Sequence, residues 1–305
     1  MKPDMTVRVA DIWLRNPVIA ASGTFAYGIE FDDIVSLSKL GAFVTKGLSR
    51  EPMAGNEAPR IIETAAGMMN AIGLQNIGVQ AFIETKLLQL RERPTCPIIV
   101  NVFGYTIEDY LAVIDALNDA KGIAAYELNV SCPNVTHGGM VFGSDAALLT
   151  ELVSQAKKAA TRPLIVKLSP NVTSIADMAR AAESAGADAL SLVNTFLSLA
   201  IDVKTRRPRI ANVTGGLSGP AIKPIALRMV YEASRAVKIP IIGMGGITTA
   251  EDAVEFLLAG ATAVQVGTAT YADPRATERI AKSLEQYCTR NQIKQVSQLT
   301  GALVT

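Results

Sequence analysis

Eight short apolar runs recur along the chain, each too short for a helix and separated from the next by an amphipathic stretch. They are 17–21 (PVIAA), 42–45 (AFVT), 97–102 (PIIVNV), 125–130 (AYELNV), 163–168 (PLIVKL), 189–193 (ALSLV), 240–244 (PIIGM) and 263–266 (AVQV). Dense in Val, Ile and Leu and without polar alternation, they have the pattern of parallel strands buried on both faces. Several open on proline, whose missing N–H is tolerated at a strand's first position. The stretches between them carry helix signals. "SIADMARAAESAG" (174–186) starts on a capping serine and ends on glycine, and "TAEDAVEFLLAG" (249–260) repeats that plan with acids in its first turn.

Eight strand–helix units in 305 residues predict an α/β fold, a single-domain (β/α)8 TIM barrel over 1–305. A doubly wound sheet is the competing architecture, but it usually holds only about five or six strands. Residues 5–15, "MTVRVADIWLR", read as a small hairpin ahead of the barrel. The connections 46–77 and 194–221 are long, and in a barrel both are expected over the C-terminal mouth.

Composition narrows the chemistry. The 3 cysteines (Cys96, Cys132, Cys288) are widely spaced, which argues against a disulfide framework, a zinc site or a four-cysteine cluster. With 1 histidine, His137, a multi-histidine metal site is excluded. The net charge is +1 with the signs mixed, so nothing points to nucleic acid. No apolar run approaches the ~20 residues that span a bilayer. Asp4, Arg8 and Asp11 interrupt the apolar stretch a signal peptide needs. The expected location is the cytoplasm.

Barrel chemistry collects at the C-terminal strand ends. Here they read Ser22-Gly23, Lys46-Gly47, Asn101, Asn129, Lys167, Asn194-Thr195, Gly245-Gly246 and Gly267-Thr268, all polar or glycine. "GMGGI" and "VGTA" after the last two strands leave backbone N–H groups unobstructed, as a phosphate cradle requires. A phosphorylated substrate and a phosphorylated cofactor fit it equally. Lys167, inside "PLIVKLSP", and Lys46, after "AFVT", either snorkel to the rim or require an anion nearby. Cys132 leaves the fourth strand among these groups. Near pH 7.5 about a tenth of an unperturbed thiol is thiolate, so it can serve as general base or nucleophile. Cys96 and Cys288 read as packing residues.

In this order, "NPVIAASGTFAYG", "NAIGLQN", "NVSCPNVTHGG", "VKLSPNVT", "NTFLSLAID", "GGLSGPAIKP", "IIGMGGI" and "VGTA" make the chain resemble dihydroorotate dehydrogenases over nearly its whole length. "NAIGLQN", the "HGG" after the cysteine and "GGLSGPAIKP" resemble the NAD-linked type (class 1B). The membrane-associated type carries an amphipathic extension and a serine base, and neither is present.

The resemblance implies oxidation of dihydroorotate to orotate in pyrimidine biosynthesis. Cys132 takes the proton from C5, and hydride passes from C6 to FMN. It implies FMN contacts from Ser22, Lys46, Gly47, Asn101, Asn129 and Lys167, and further along from Val193, Gly219, Gly245, Gly246, Gly267 and Thr268. It places the pyrimidine against Lys46, Asn70, Ala71, Ile72, Gly73 and Leu74, with Asn129, Asn194 and Thr195. It also implies a partner subunit carrying FAD and a 2Fe-2S cluster, in an α2β2 assembly, which passes electrons to NAD. Phe103 departs from the small residue the family pattern has after Asn101, which predicts crowding beside the flavin. Two rivals share these features. A dihydropyrimidine dehydrogenase has the same barrel, FMN and cysteine, and a sugar-phosphate isomerase or lyase uses the same cradle.

Overall fold

The structure, a computed structural model, describes residues 2–93, 95–130 and 142–305. Eight strands close a barrel: β1 (Val18–Ala20), β2 (Ala42–Val44), β3 (Ile98–Val102), β4 (Ala125–Asn129), β5 (Leu164–Lys167), β6 (Ala189–Leu192), β7 (Ile241–Met244) and β8 (Ala263–Val266). Each pairs in parallel with the next, and β8 returns to β1. Every residue of all eight is buried, which is why none of the runs alternates. The predicted barrel and its strand positions are borne out.

The helices form where their signals stand. Ile175–Ser184 is capped by the Ser174 hydroxyl, which accepts from the Asp177 N–H at 3.2 Å. Ala250–Leu258 starts in a capping box formed by Thr249 and Asp252, and Gly260 leaves it at φ +115°. The link from β1 to β2 differs from the regular plan. It holds two single 3₁₀ turns, Ile29–Phe31 and Leu37–Lys39, and no α-helix. Gly28 sits at φ +90° with the Phe43 ring 2.6 Å from where a Cβ would lie, a conformation that breaks a helix.

The predicted hairpin is present as Val7–Val9 against Ile12–Leu14, with Arg8 and Trp13 facing out and their neighbours buried. The two long connections are more ordered than loops. Phe196–Leu199, Thr214–Ser218, Gly67–Asn70 and Ile61–Thr64 join, in that order, as an antiparallel sheet. Met69, Ala71 and Ile210 form a small core of their own beneath it. Cys96 and Cys288 are buried free thiols, and burial pushes Cys96 up to about 12. Among the described residues no helix is long and apolar enough to cross a membrane.

Asp252 ties the β7 side of the barrel together. Its carboxylate accepts from Lys223 Nζ at 2.6 Å and from Thr248 and Thr249 N–H at 2.8 and 2.9 Å. Burial raises this carboxyl, but those donors outweigh it and bring the pKa down to about 2. A depressed folded-state pKa contributes stability above the unfolded value and loses it as pH falls through the folded one. Asp252→Asn is therefore expected to cost about 1–2 kcal/mol at pH 7 in urea unfolding, because the carboxylate is buried but its lysine partner stays partly in solvent. The deficit should shrink between pH 4 and pH 2. A deficit independent of pH would show that the charge contributes nothing.

Candidate active site

The C-terminal strand ends and the mouth sheet enclose one cleft of about 1270 Å³, open solvent included. Strand register explains the grouping of its polar residues. Asn101 on β3 lies opposite Glu127 on β4, while Lys167 on β5 lies opposite both Asn129 and Ser191.

Glu127 is fully buried at the barrel centre. Its carboxylate accepts from Asn101 Nδ2 at 2.7 Å, Gln265 Nε2 at 2.8 Å and the Ser191 hydroxyl at 2.9 Å. Lys167 Nζ stands 3.9 Å from Oε1 and donates to the Ser22 hydroxyl at 3.3 Å. Lys167 thus has an acidic neighbour within the barrel and still lines the cleft. Lys46 lies close by, with Nζ 3.9 Å from where a Gly23 Cβ would be. Burial, then the like charges of Arg60 and Lys167, hold its pKa below the usual lysine range. Such an ammonium is poised to receive an anion.

Two buried acceptors, Asn101 Oδ1 and Gln265 Oε1, find no hydrogen-bond partner among the described residues, and both residues line the cleft. Gly47 leaves room for the first, since a Cβ there would stand 2.7 Å from Asn101 Oδ1. At the other side Gly246, at φ +78°, packs so tightly that a Cβ would meet Gly219 O and Lys223 Cβ at 2.8 Å. This brings the β7 tip against the start of the helix Lys223–Ala236. The Thr268 hydroxyl donates to Ser218 Oγ at 2.8 Å and ties the β8 tip to the mouth sheet. Main-chain N–H groups, small residues and a helix start are what a phosphate group needs.

The sheet carries the opposite wall. Asn70 ends its strand, and Ala71, Ile72, Gly73 and Leu74 follow along the cleft. Asn56 pins this turn by donating from its backbone to Ile72 O and from its side chain to Ala71 O, both at 3.0 Å. Asn194 Nδ2 approaches Asn129 Oδ1 at 3.4 Å, and Thr195 packs where a Gly216 side chain would otherwise be.

Every expected cofactor and substrate position other than the base therefore faces the same cleft. Cys132 and His137 lie outside the described residues. Phe103 does not line the cleft: it is buried edge-on against Tyr105 and Tyr110, at 5.0 and 6.2 Å between ring centres. The predicted crowding is corrected on that ground. Sequence reasoning missed Glu127, Ser191 and Gln265, although a charged or amide residue inside an apolar run was the signal that singled out Lys167. No group of three or more His, Cys, Asp or Glu side chains able to hold a metal occurs among the described residues.

Comparison with known proteins gives the family. The dihydroorotate dehydrogenase family profile matches residues 4–288. A protein of Solibacter usitatus named putative dihydroorotate dehydrogenase A (fumarate) is 60% identical over 303 residues, covering 99% of both chains. The dihydroorotate dehydrogenase B (NAD(+)) catalytic subunit of Citrifermentans bemidjiense is 58% identical over 302 residues, again 99% of both. Its counterpart in Geotalea uraniireducens is 57% identical over 304 residues, covering 100% of this chain and 99% of its own. A profile match along nearly the whole barrel, with more than half of all positions identical to these relatives, makes the chain a member of the dihydroorotate dehydrogenase family.

Proposed function

We propose that the chain is the FMN-bearing catalytic subunit of an NAD-linked dihydroorotate dehydrogenase, a single barrel domain over 1–305 that oxidises dihydroorotate to orotate for pyrimidine synthesis. The observation that carries this reading is the pairing of two unpartnered buried amide oxygens with a glycine-lined phosphate cradle in one cleft. FMN fits that donor set. Gly245, Gly246, Gly267 and Thr268 suit its phosphate, with Gly219 and Val193 closing the side. Ser22, Gly47, Asn101, Asn129 and Lys167 surround its polar ring edges. When bound, FMN supplies the acceptor for the hydride leaving C6.

The chain's own groups do the rest. Asn70, Asn129, Asn194 and Thr195 offer amide and hydroxyl partners for the ring's carbonyl and N–H edges. The turn Ala71–Leu74 shapes the wall behind it. Lys46 pairs with the substrate carboxylate, and Cys132 removes the C5 proton. General-base catalysis is typically worth 10²–10⁴-fold, so Cys132→Ala should lower kcat by about that factor. Cys132→Ser should be slow at neutral pH and recover as pH rises. A serine variant as fast as wild type at neutral pH would remove the cysteine from the base role.

Lys46→Met should weaken orotate binding about 10- to 100-fold, read from the flavin absorbance change, because it deletes a charge-assisted pair. Because the Lys46 pKa lies below its usual value, wild-type affinity for orotate should begin to fall at a lower pH than an ordinary lysine would give. Unchanged binding in the variant would assign the carboxylate to another residue. Uracil, which lacks the carboxylate, should bind far more weakly than orotate, whereas a dihydropyrimidine dehydrogenase would favour it. A colourless protein that takes up no FMN would return the sugar-phosphate reading.

A partner subunit with FAD and a 2Fe-2S cluster, in a cytoplasmic α2β2 assembly, accounts for electron exit to NAD. The names of the relatives at 57–58% identity favour it, and that of the relative at 60% favours fumarate instead. The purified chain alone should reduce an artificial dye with dihydroorotate but neither NAD nor fumarate. Fumarate reduction by the chain alone would decide for the partner-free reading.

A further inference from the structure

Glu127 takes no part in the reaction as set out above, yet it organises three of the groups around the cleft. A carboxylate only accepts hydrogen bonds. Asn101 and Gln265 therefore turn their amide nitrogens toward it, at 2.7 and 2.8 Å, and their carbonyl oxygens away from it. Those two oxygens are among the buried polar atoms that find no partner among the described residues, the others being the Thr270 and Thr277 hydroxyls. At 3.9 Å, Lys167 Nζ is held by charge and not by a hydrogen bond to Glu127, so its N–H groups stay available to Ser22 and to a ligand. Ser191 supplies the third donor from β6 without lining the cleft.

We propose that Glu127 is a positioning residue for the flavin. By accepting from both amides it presents two carbonyl oxygens to N–H and hydroxyl groups of the bound cofactor, and by its charge it keeps the Lys167 ammonium beside them. The inference rests on the FMN reading and deepens it. A neutral amide in place of the carboxylate cannot accept from all three donors, because one of its two heads is itself a donor. One neighbour must turn, replacing a carbonyl oxygen with an NH₂ group in the cleft.

The test is Glu127→Gln, titrated with FMN after the protein has been stripped of flavin. FMN is expected to bind at least tenfold more weakly, and the reduction potential of the bound flavin to rise, because a negative charge nearby has been removed. A merely structural role would lower the unfolding temperature and leave the potential where it was. FMN affinity within twofold of wild type, with an unshifted potential, overturns the proposal.

If Glu127→Gln fails to fold, Ser191→Ala decides, since it can reach the flavin only through Glu127. A threefold or greater loss of FMN affinity supports the assignment, and unchanged affinity overturns it. If wild type itself takes up no FMN, the functional reading falls and this proposal with it. Where wild type binds FMN, the crystal structure of flavin-free Glu127→Gln gives a second check: a displaced Lys167 or a turned Asn101 or Gln265 amide supports positioning, and an unmoved cluster overturns it.

Discussion

A carboxylate sealed inside a barrel is the constraint from which the rest of the site follows. Burying an unpaired charge is prohibitively unfavourable, so Glu127 requires hydrogen-bond donors or a cation on several sides. They come from four other strands: Asn101 on β3, Lys167 on β5, Ser191 on β6 and Gln265 on β8. Five of the eight strands are thereby linked through one group, and their relative register leaves little freedom. The polar strand ends above this layer inherit their placement from it.

The cleft has two walls of different origin. The barrel wall is made of strand tips whose positions are fixed by parallel pairing. The other wall is a sheet assembled from two connections far apart in the chain, with Asn70 and Gly216 aligned across it. Its contribution is apolar enclosure and amide edges, while the barrel contributes charge and the phosphate cradle. The proposed occupants, a flavin lying against a pyrimidine acid, offer both an anionic end and a flat polar ring to these two walls.

Much of the barrel was legible because β-strands buried on both faces leave a local signature. The runs around Ile99, Val166 and Val264 announce themselves without knowledge of their partners. The strand-end residues were legible for the same reason, since a strand's end is a local fact. The mouth sheet was not. Gly67–Asn70 and Thr214–Ser218 are rich in glycine and methionine, and their strand character comes from pairing with each other rather than from their own composition. Glu127 and Gln265 were visible as polar residues within apolar runs. What they do depended on which strands surround them, and only the closed barrel shows that.

The hydroxyl bond between Thr268 and Ser218, and the packing of Gly219 against Gly67, have a consequence in time. These contacts join the last strand tip, the second connection and the first, so the cleft lacks a side until residue 268 has emerged and β8 has closed against β1. Contacts this distant in sequence form late, because their loop-closure entropy is met before they return any stabilisation. A growing chain on the ribosome therefore has no complete cleft to offer a ligand until its last barrel strand is in place.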